Sequence, residues 1–349
     1  MKQKQHDFTE GNIFKQLIVF SGPLMAANLL QTSYQFIDSL WVGNLLGAHL
    51  LGAVAVSGTI IFTVLSFVIG MNNAVLAILS QQKGMKNEEG LRRYLNAFVV
   101  ILSAIAIGLG IIGFVLAKPF LQLLGTPESM MEEAAVYLQI NFLGILFLFG
   151  YNFISTVLRA LGDSKTPMRF VMIAVGLNIV LDPLFISGFG WGVEGAAYAT
   201  VLSQGFSFLY GITYTISREL APFTMPSLPA WEEVKLILHL GIPSGLQMAV
   251  ISAGSAAIMS VVTIHGASVV AGFSAAQRLD SILMLPAHAL STAVSSMAGQ
   301  NIGIQNWKRV QQIAKYGVLY NFSIMFLIGV VVLLFARYGI QLFIREEAA

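Results

Sequence analysis

The sequence contains no cysteine, so disulfides, thiolate chemistry and Cys-ligated metals are excluded. Charge is nearly as scarce. Asp, Glu, Lys and Arg make up 10% of the 349 residues, against roughly a quarter in soluble domains. The formal net charge of +2 is too small and too dispersed to attract nucleic acid. What fills the chain is apolar: 56% of residues are hydrophobic and the mean hydropathy is +0.77. Water does not dissolve such a surface, so most of it must face lipid or other helices. The apolar run that follows Lys2, Lys4 and Lys15 continues far past a signal peptide's short core and lacks a small-residue cleavage site, which predicts a retained helix.

About 20 apolar residues are needed to cross a bilayer as a helix. Nine stretches qualify: 14–40, 51–80, 94–117, 134–158, 167–187, 193–216, 235–263, 270–298 and 314–343. Gly47-Ala48 and Gly266-Ala267 are the expected turns inside two long uncharged regions. Open strands cannot satisfy their backbone in lipid, which predicts an all-α polytopic membrane protein.

Lys and Arg set the orientation. If the N-terminus is cytoplasmic, the inner segments carry Lys2, Lys4, Lys15, Lys83, Lys86, Arg92, Arg93, Arg159, Lys165, Arg169, Arg218, Lys235, Lys308, Arg309 and Lys315. Lys118, Arg337 and Arg345 fall outside, and Arg278 opens the eighth stretch.

The chain also repeats itself at an offset of 219. Ala74, Val75, Gln81, Gly84 and Asn87 match Ala293, Val294, Gln300, Gly303 and Asn306, while Leu17, Ile18, Gly22, Gly47 and Ala48 match Leu236, Ile237, Gly241, Gly266 and Ala267. Six helices separate the copies, so the halves run the same way and are related about the membrane normal, a transporter architecture. The expected organisation is an N-lobe over 1–216, a cytoplasmic linker over 217–234 bearing Pro222, Pro226 and Pro229, and a C-lobe over 235–349. The string Glu132-Glu133-Ala134-Ala135 opens the fourth stretch and recurs as Glu346-Glu347-Ala348-Ala349. By that measure the second copy lacks about 80 residues, or three helices, and the C-lobe is expected to be partial.

Ionisable groups within a bilayer are costly unless paired, hydrated or used. Asp38 and Asp182 stand out. Asn178 precedes Asp182 by four residues and shares its helical face. At 1.5 Å per residue, Asp182 lies about 22 Å from the inner end of its helix and Thr200 roughly 10 Å from the outer end of the next. Asp38 lies near the outer end of the first helix, so all four groups fall at similar height. Two carboxyls, an amide oxygen and a hydroxyl form a hard-oxygen set suited to Na+ or to shared protons. The plain alternatives are that Asp38 sits at headgroup level and that Asp182 caps a kink at Pro183. In the turn from Arg159 to Pro167, Gly162 suits a helix end, and Thr166 and Pro167 suit the cap and first position of the next helix. It has no phosphate-loop pattern, so ATP is not implied. No nucleophile–base arrangement or metal-ligand cluster is present, and His288 is expected to be an interior histidine.

These motifs resemble the multidrug and toxic compound extrusion (MATE) family. The residues that carry the resemblance are Phe36 to Ala48 (FIDSLWVGNLLGA), the Leu158-to-Pro167 turn, Asn178 to Ile186 (NIVLDPLFI) and Ala298 to Gly303 (AGQNIG). The resemblance spans the chain. It implies a two-lobe helical bundle of two six-helix lobes in the plasma membrane, here with three helices of the C-lobe. It also implies alternating access and export of small organic cations in exchange for H+ or Na+, with no other cofactor; the protein is expected to be monomeric. In DinF-like members the N-lobe cation site matches Asp38, Asn178, Asp182 and Thr200. Gln31, Tyr34, Asn152 and Ser155 resemble drug-pocket residues, although ordinary interhelical hydrogen bonding would account for them equally. Where NorM-like members place a cation-binding Glu eight residues after the proline of the seventh helix, this sequence has Ile251 after Pro243, which argues against a C-lobe site of that kind. A lipid-linked oligosaccharide flippase of the same superfamily would want several cavity cations, and only Arg278 is a candidate. A prenyltransferase-like enzyme would want a second Asp-rich motif to hold Mg2+-diphosphate, which the sequence lacks.

Overall fold

The structure is a computed structural model that describes residues 6–263 and 267–341. Its helices are α1 (Ile13–Leu46), α2 (Ala48–Gly84), α3 (Glu88–Val115), α4 (Ala117–Leu123), α5 (Met131–Leu143), α6 (Ile145–Ala160), α7 (Lys165–Pro183), α8 (Gly192–Ser217), α9 (Trp231–Thr263), α10 (Ala267–Leu283), α11 (Leu285–Gly303) and α12 (Trp307–Gln341). Each of the nine expected stretches falls on one rod, but three rods are interrupted. The fourth breaks at Gly144 into α5 and α6, bent by 49°. The fifth ends beyond Pro183 in a π-turn, Leu184–Gly188, and the eighth breaks at Met284 into α10 and α11.

Not all nine stand on length and apolarity alone. Among the described residues six helices are by themselves long and apolar enough to cross a membrane, or seven with the bent pair counted as one. The reason is visible in α8, which is uncharged after Glu194 yet rich in small residues. Gly195, Ala196, Ala197, Ala199, Ser203, Gly205, Ser207 and Gly211 are all buried against neighbouring helices. Small residues let backbones approach, and that contact replaces apolarity as the stabilising term. Elsewhere the rods expose large apolar side chains, among them Val115 at 68% and Leu327 at 66%.

The turns explain where the rods stop. Gly47, at φ +86, separates α1 from α2, as its Gly-Ala pair suggested. Gly266 lies outside the described residues. Gly162, at φ +88, follows the end of α6, a left-handed position that glycine takes without strain. The start of α7 departs from expectation. The cap is not Thr166 but the carboxylate of Asp163, whose Oδ1 accepts the backbone N–H groups of Lys165 and Thr166 at 3.0 Å each while Oδ2 accepts the Thr166 hydroxyl at 2.6 Å. A carboxylate there meets both the unpaired N–H groups and the positive end of the helix dipole.

The repeat is realised bond for bond. Asn87 Oδ1 accepts Gly90 N–H and caps α3, and 219 residues on Asn306 Oδ1 accepts Arg309 N–H and caps α12. Lys86 and Gln305, again equivalents, are both left-handed, at φ 54 and 57. The contacts between the copies are reciprocal as well. A Cβ at Gly84 would strike the Gln300 carbonyl, and one at Gly303 would strike the carbonyl of Gln81, its counterpart. Ser80 and Gly299 are counterparts of one another, and they touch. A residue that meets its own equivalent sits on a two-fold axis, so α2 and α11 cross on the pseudo-symmetry axis.

That crossing lies at one end of the molecule, together with the turns that hold Lys83, Lys86, Arg92, Arg159, Lys165, Lys308 and Arg309; it is called the basic end below. The connection 218–230 crosses it, held by paired bonds between Asn96 and the backbone of Ser227 at 2.8 Å each and by an Arg93–Glu233 ion pair at 3.4 Å. Lys118 and Glu132 pair at 2.6 Å at the opposite end.

Two measurements test the reciprocal packing. Asn87→Ala and Asn306→Ala should each lower stability in detergent by about 1 kcal/mol, because each removes one equivalent cap. Gly84→Ala should cost about 1–3 kcal/mol through overpacking against the Gln300 backbone. Unequal losses from the two caps, read by thermal unfolding, would contradict the equivalence of the turns.

Candidate functional site

The site is built by α1, α7 and α8. Asp182 occupies the last turn of α7 and is 0% exposed, and Asn178, one turn earlier on the same face, is 2% exposed. Asn178 Nδ2 donates to Asp182 Oδ1 at 3.2 Å and to Thr200 Oγ1 on α8 at 3.4 Å. The Thr200 hydroxyl also meets Tyr34 OH from α1 at 3.4 Å. One turn beyond Tyr34 stands Asp38, half-buried, and its carboxyl lies beside that of Asp182. Asp38, Asn178, Asp182 and Thr200, expected at one height from helical rise alone, are therefore brought together in space.

Local sequence explains the pose. Pro183 has no N–H to give the helix, so α7 cannot continue regularly and passes into the π-turn just after Asp182. Phe185, Phe189 and Trp191 stack below it with ring centroids 5.1–5.6 Å apart.

Several polar atoms here are buried without a protein partner: Asp38 Oδ1, Asn178 Oδ1, Asp182 Oδ2 and Ser203 Oγ. Buried polar atoms are seldom left so, and each orphan oxygen is a free lone pair aimed into the protein. Beside them lies a cavity of about 30 Å³ lined by Gln31, Tyr34, Tyr151, Asn178, Thr200, Ser203 and Gln204, room for about one water. Among the described residues no group of three or more His, Cys, Asp or Glu could hold a transition metal. The oxygens present fit a hard monovalent cation or a proton.

Of the expected pocket residues, Gln31 and Tyr34 line this cavity and Asn152 and Ser155 do not. Asn152 Nδ2 donates to Leu148 O at 2.8 Å and Ser155 Oγ to Tyr151 O at 2.9 Å, both back-bonds within α6. Sequence reasoning passed over Tyr151, Ser203 and Gln204. The last two follow Thr200 by three and four residues, which puts one polar stripe on α8. It also passed over Tyr137, which is buried close to both carboxyls and sits one turn before Asn141. Ile251 is 55% exposed on α9 and forms no second site. His288 corrects an expectation: it is exposed, because the buried face of α11 is set by Ala289, Leu290, Ala293 and Met297. Asp280 is exposed too.

A hollow of about 780 Å³ lies elsewhere, at the basic end. Lys83, Lys86 and Arg92 line it together with Asp7, Glu88 and Glu219, so its charges balance.

Exposed apolar rods around an internal pair of carboxyls, with two reciprocal repeats, define a polytopic membrane transporter rather than an enzyme. Residues 23–184 and 243–349 match the MatE family model, and the chain belongs to that family. It is 62% identical over 346 residues to the probable multidrug resistance protein YpnP of Bacillus subtilis, covering 99% of this chain and 78% of the relative. It is 30% identical over 345 residues to the probable multidrug resistance protein YoeA of the same organism, covering 96% and 74%. A solved MOP-superfamily transporter from Pyrococcus furiosus, described for the reverse polarity of its binding pocket, superposes with a TM-score of 0.91 at 26% identity, covering 99% of this chain and 78% of that one. These matches establish the family.

The hydrogen-bond geometry predicts unequal sensitivities. Asn178→Leu leaves Asp182 without its donor and should cost about 1–3 kcal/mol in detergent, whereas Ser155→Ala removes only a back-bond and should cost under about 1 kcal/mol. Equal losses would mean that the Asn178 bridge carries no structural weight.

Proposed function

We propose that the protein is a secondary multidrug exporter that exchanges small organic cations for H+ or Na+ by alternating access, with the basic end facing the cytoplasm. The observation that carries this reading is the contact between the Asp38 and Asp182 carboxyls among apolar helices. Two carboxyls in contact away from water cannot both stay charged, so a proton or a metal cation must sit between them. With Asn178 and Thr200 they supply the oxygens for either ion.

Coupling follows from what binding changes. The cation neutralises the pair and ties α1 to α7 through it. Its loss leaves a net charge that draws water between those helices and favours a different packing of α1. The drug pocket is read against the same helices, with Gln31 and Tyr34 on α1 as its members. An organic cation there competes with the coupling ion for one field, which gives exchange its electrostatic basis. The names of the relatives, as probable multidrug resistance proteins, support drug export.

Asp182→Asn keeps the shape and loses the charge. In proteoliposomes it should slow exchange of a fluorescent organic cation against a pH or Na+ gradient about tenfold or more, and Asp38→Asn should do nearly the same. Ile251→Ala should stay near the wild-type rate. Wild-type exchange by the Asp182→Asn protein would sink the proposal.

A further inference from the structure

The segment before α1 is short, polar and close to the chain end, the kind of stretch that usually frays. Here it does the reverse. His6 N–H donates to Gly162 O at 3.1 Å, which ties the segment to the turn between α6 and α7. Two residues on, the Phe8 backbone is gripped from the other repeat. Its N–H donates to Gln300 Oε1 at 3.0 Å, and its carbonyl accepts Asn301 Nδ2 and Arg309 Nε, each at 3.0 Å. Gln300 simultaneously donates to Ala160 O at 3.2 Å. Arg309 extends its fork to Glu10 O at 2.8 Å and Gln16 Oε1 at 3.2 Å.

The Phe8 side chain is 0% exposed. It packs edge-on against Phe20 of α1 with centroids 4.9 Å apart, in a cluster completed by Leu290, Met297 and Ile313 of α11 and α12. One aromatic ring therefore bridges helices from both copies of the repeat. A Cβ at Gly162 would strike the His6 carbonyl, so the turn is open enough for the segment to cross only because a glycine stands there. Asp7 Oδ1 accepts the Thr9 backbone N–H at 3.0 Å and the Thr9 hydroxyl at 2.5 Å, which holds the bend that aims Phe8 inward.

The device is one-sided. At the repeat offset Phe8 corresponds to Ser227 in the connection between the copies, where the neighbouring Leu228 is 96% exposed. Nothing in the symmetry of the helices calls for a buried phenylalanine at this place.

We propose that residues 6–12 are a latch holding the two halves together at the basic end, and that withdrawal of Phe8 must precede opening at that end. This rests on the alternating-access reading but not on the chemistry of the carboxyl pair. Opening separates α11 and α12 from the α6–α7 turn and α1. Every bond from Gln300, Asn301 and Arg309 to the segment spans that divide, so the latch and the open basic end exclude one another.

Because the chain has no cysteine, spin labels can be placed on it at will, at E89C on α3 and Q312C on α12, both exposed positions. In proteoliposomes the inter-label distance distribution reads opening of the basic end directly. Phe8→Ala should raise the long-distance population about tenfold over wild type, and Phe8→Leu should restore most of the short distance. Arg309→Lys, which keeps the charge but loses the fork, should shift it in the same direction. An unchanged distribution in Phe8→Ala overturns the latch. If Phe8→Ala does not elute as folded protein, Arg309→Lys decides: a shift supports the latch and no shift overturns it. A faulty coupling mechanism would show instead as undiminished transport by Asp182→Asn, with these distances unaffected.

Discussion

Backbone-to-backbone contact on the pseudo-two-fold axis is the constraint from which the rest of the arrangement follows. Gly84 meets the Gln300 carbonyl, Gly303 meets that of Gln81, and Ser80 rests on Gly299. With no side chain between them α2 and α11 approach closely, and in lipid such van der Waals contact is the main source of helix association. It fixes the height at which the two repeats face each other, and the turns that follow are then pinned by Asn87 and Asn306. Further along α2 the same device recurs, where a Cβ at Gly70 would strike the Ser244 backbone of α9. Away from the axis the helices are free to splay, and their apolar faces turn outward.

The carboxyl site obeys a different logic. It lies within one repeat, on α1, α7 and α8, and no second acidic pair answers it among the described residues of α9, where Ile251 is exposed. Apolar helices tolerate Asp38 and Asp182 because Asn178, Thr200 and Tyr34 surround them with hydrogen-bonding groups. Their orphan oxygens leave the cluster short of positive partners.

Much of this was legible in the sequence, for reasons that are local. Asn178 and Asp182 share a face by helical period, Gly47 and Gly162 sit where only a left-handed residue closes a turn, and the 219-residue offset put Gln81 and Gly84 in register with Gln300 and Gly303. What escaped depends on packing between distant segments. The i, i+3, i+4 stripe of Thr200, Ser203 and Gln204 was readable but carried no charge to mark it. The Asp163 cap was hidden by Thr166 and Pro167, which satisfy the same local rules three residues later. His288 was misplaced because helical period says which residues share a face, while only the partner helix decides which face is buried. The anchoring of Phe8 had no local signal, since the side chains that grip its backbone are about 290 to 300 residues away.

The reciprocal contact between α2 and α11 has a consequence for how such a molecule can change. In an assembly of two identical halves every substitution on the axis is felt twice, so a mildly harmful change becomes a doubly harmful one. In one chain each copy of the contact mutates singly. Gly84 can be tested while Gly303 still holds, and a serine can stand at 80 opposite a glycine at 299. The fused repeat thus halves the penalty of each mutational step, and that freedom allows one half to keep an acidic pair while the other carries the grip on Phe8.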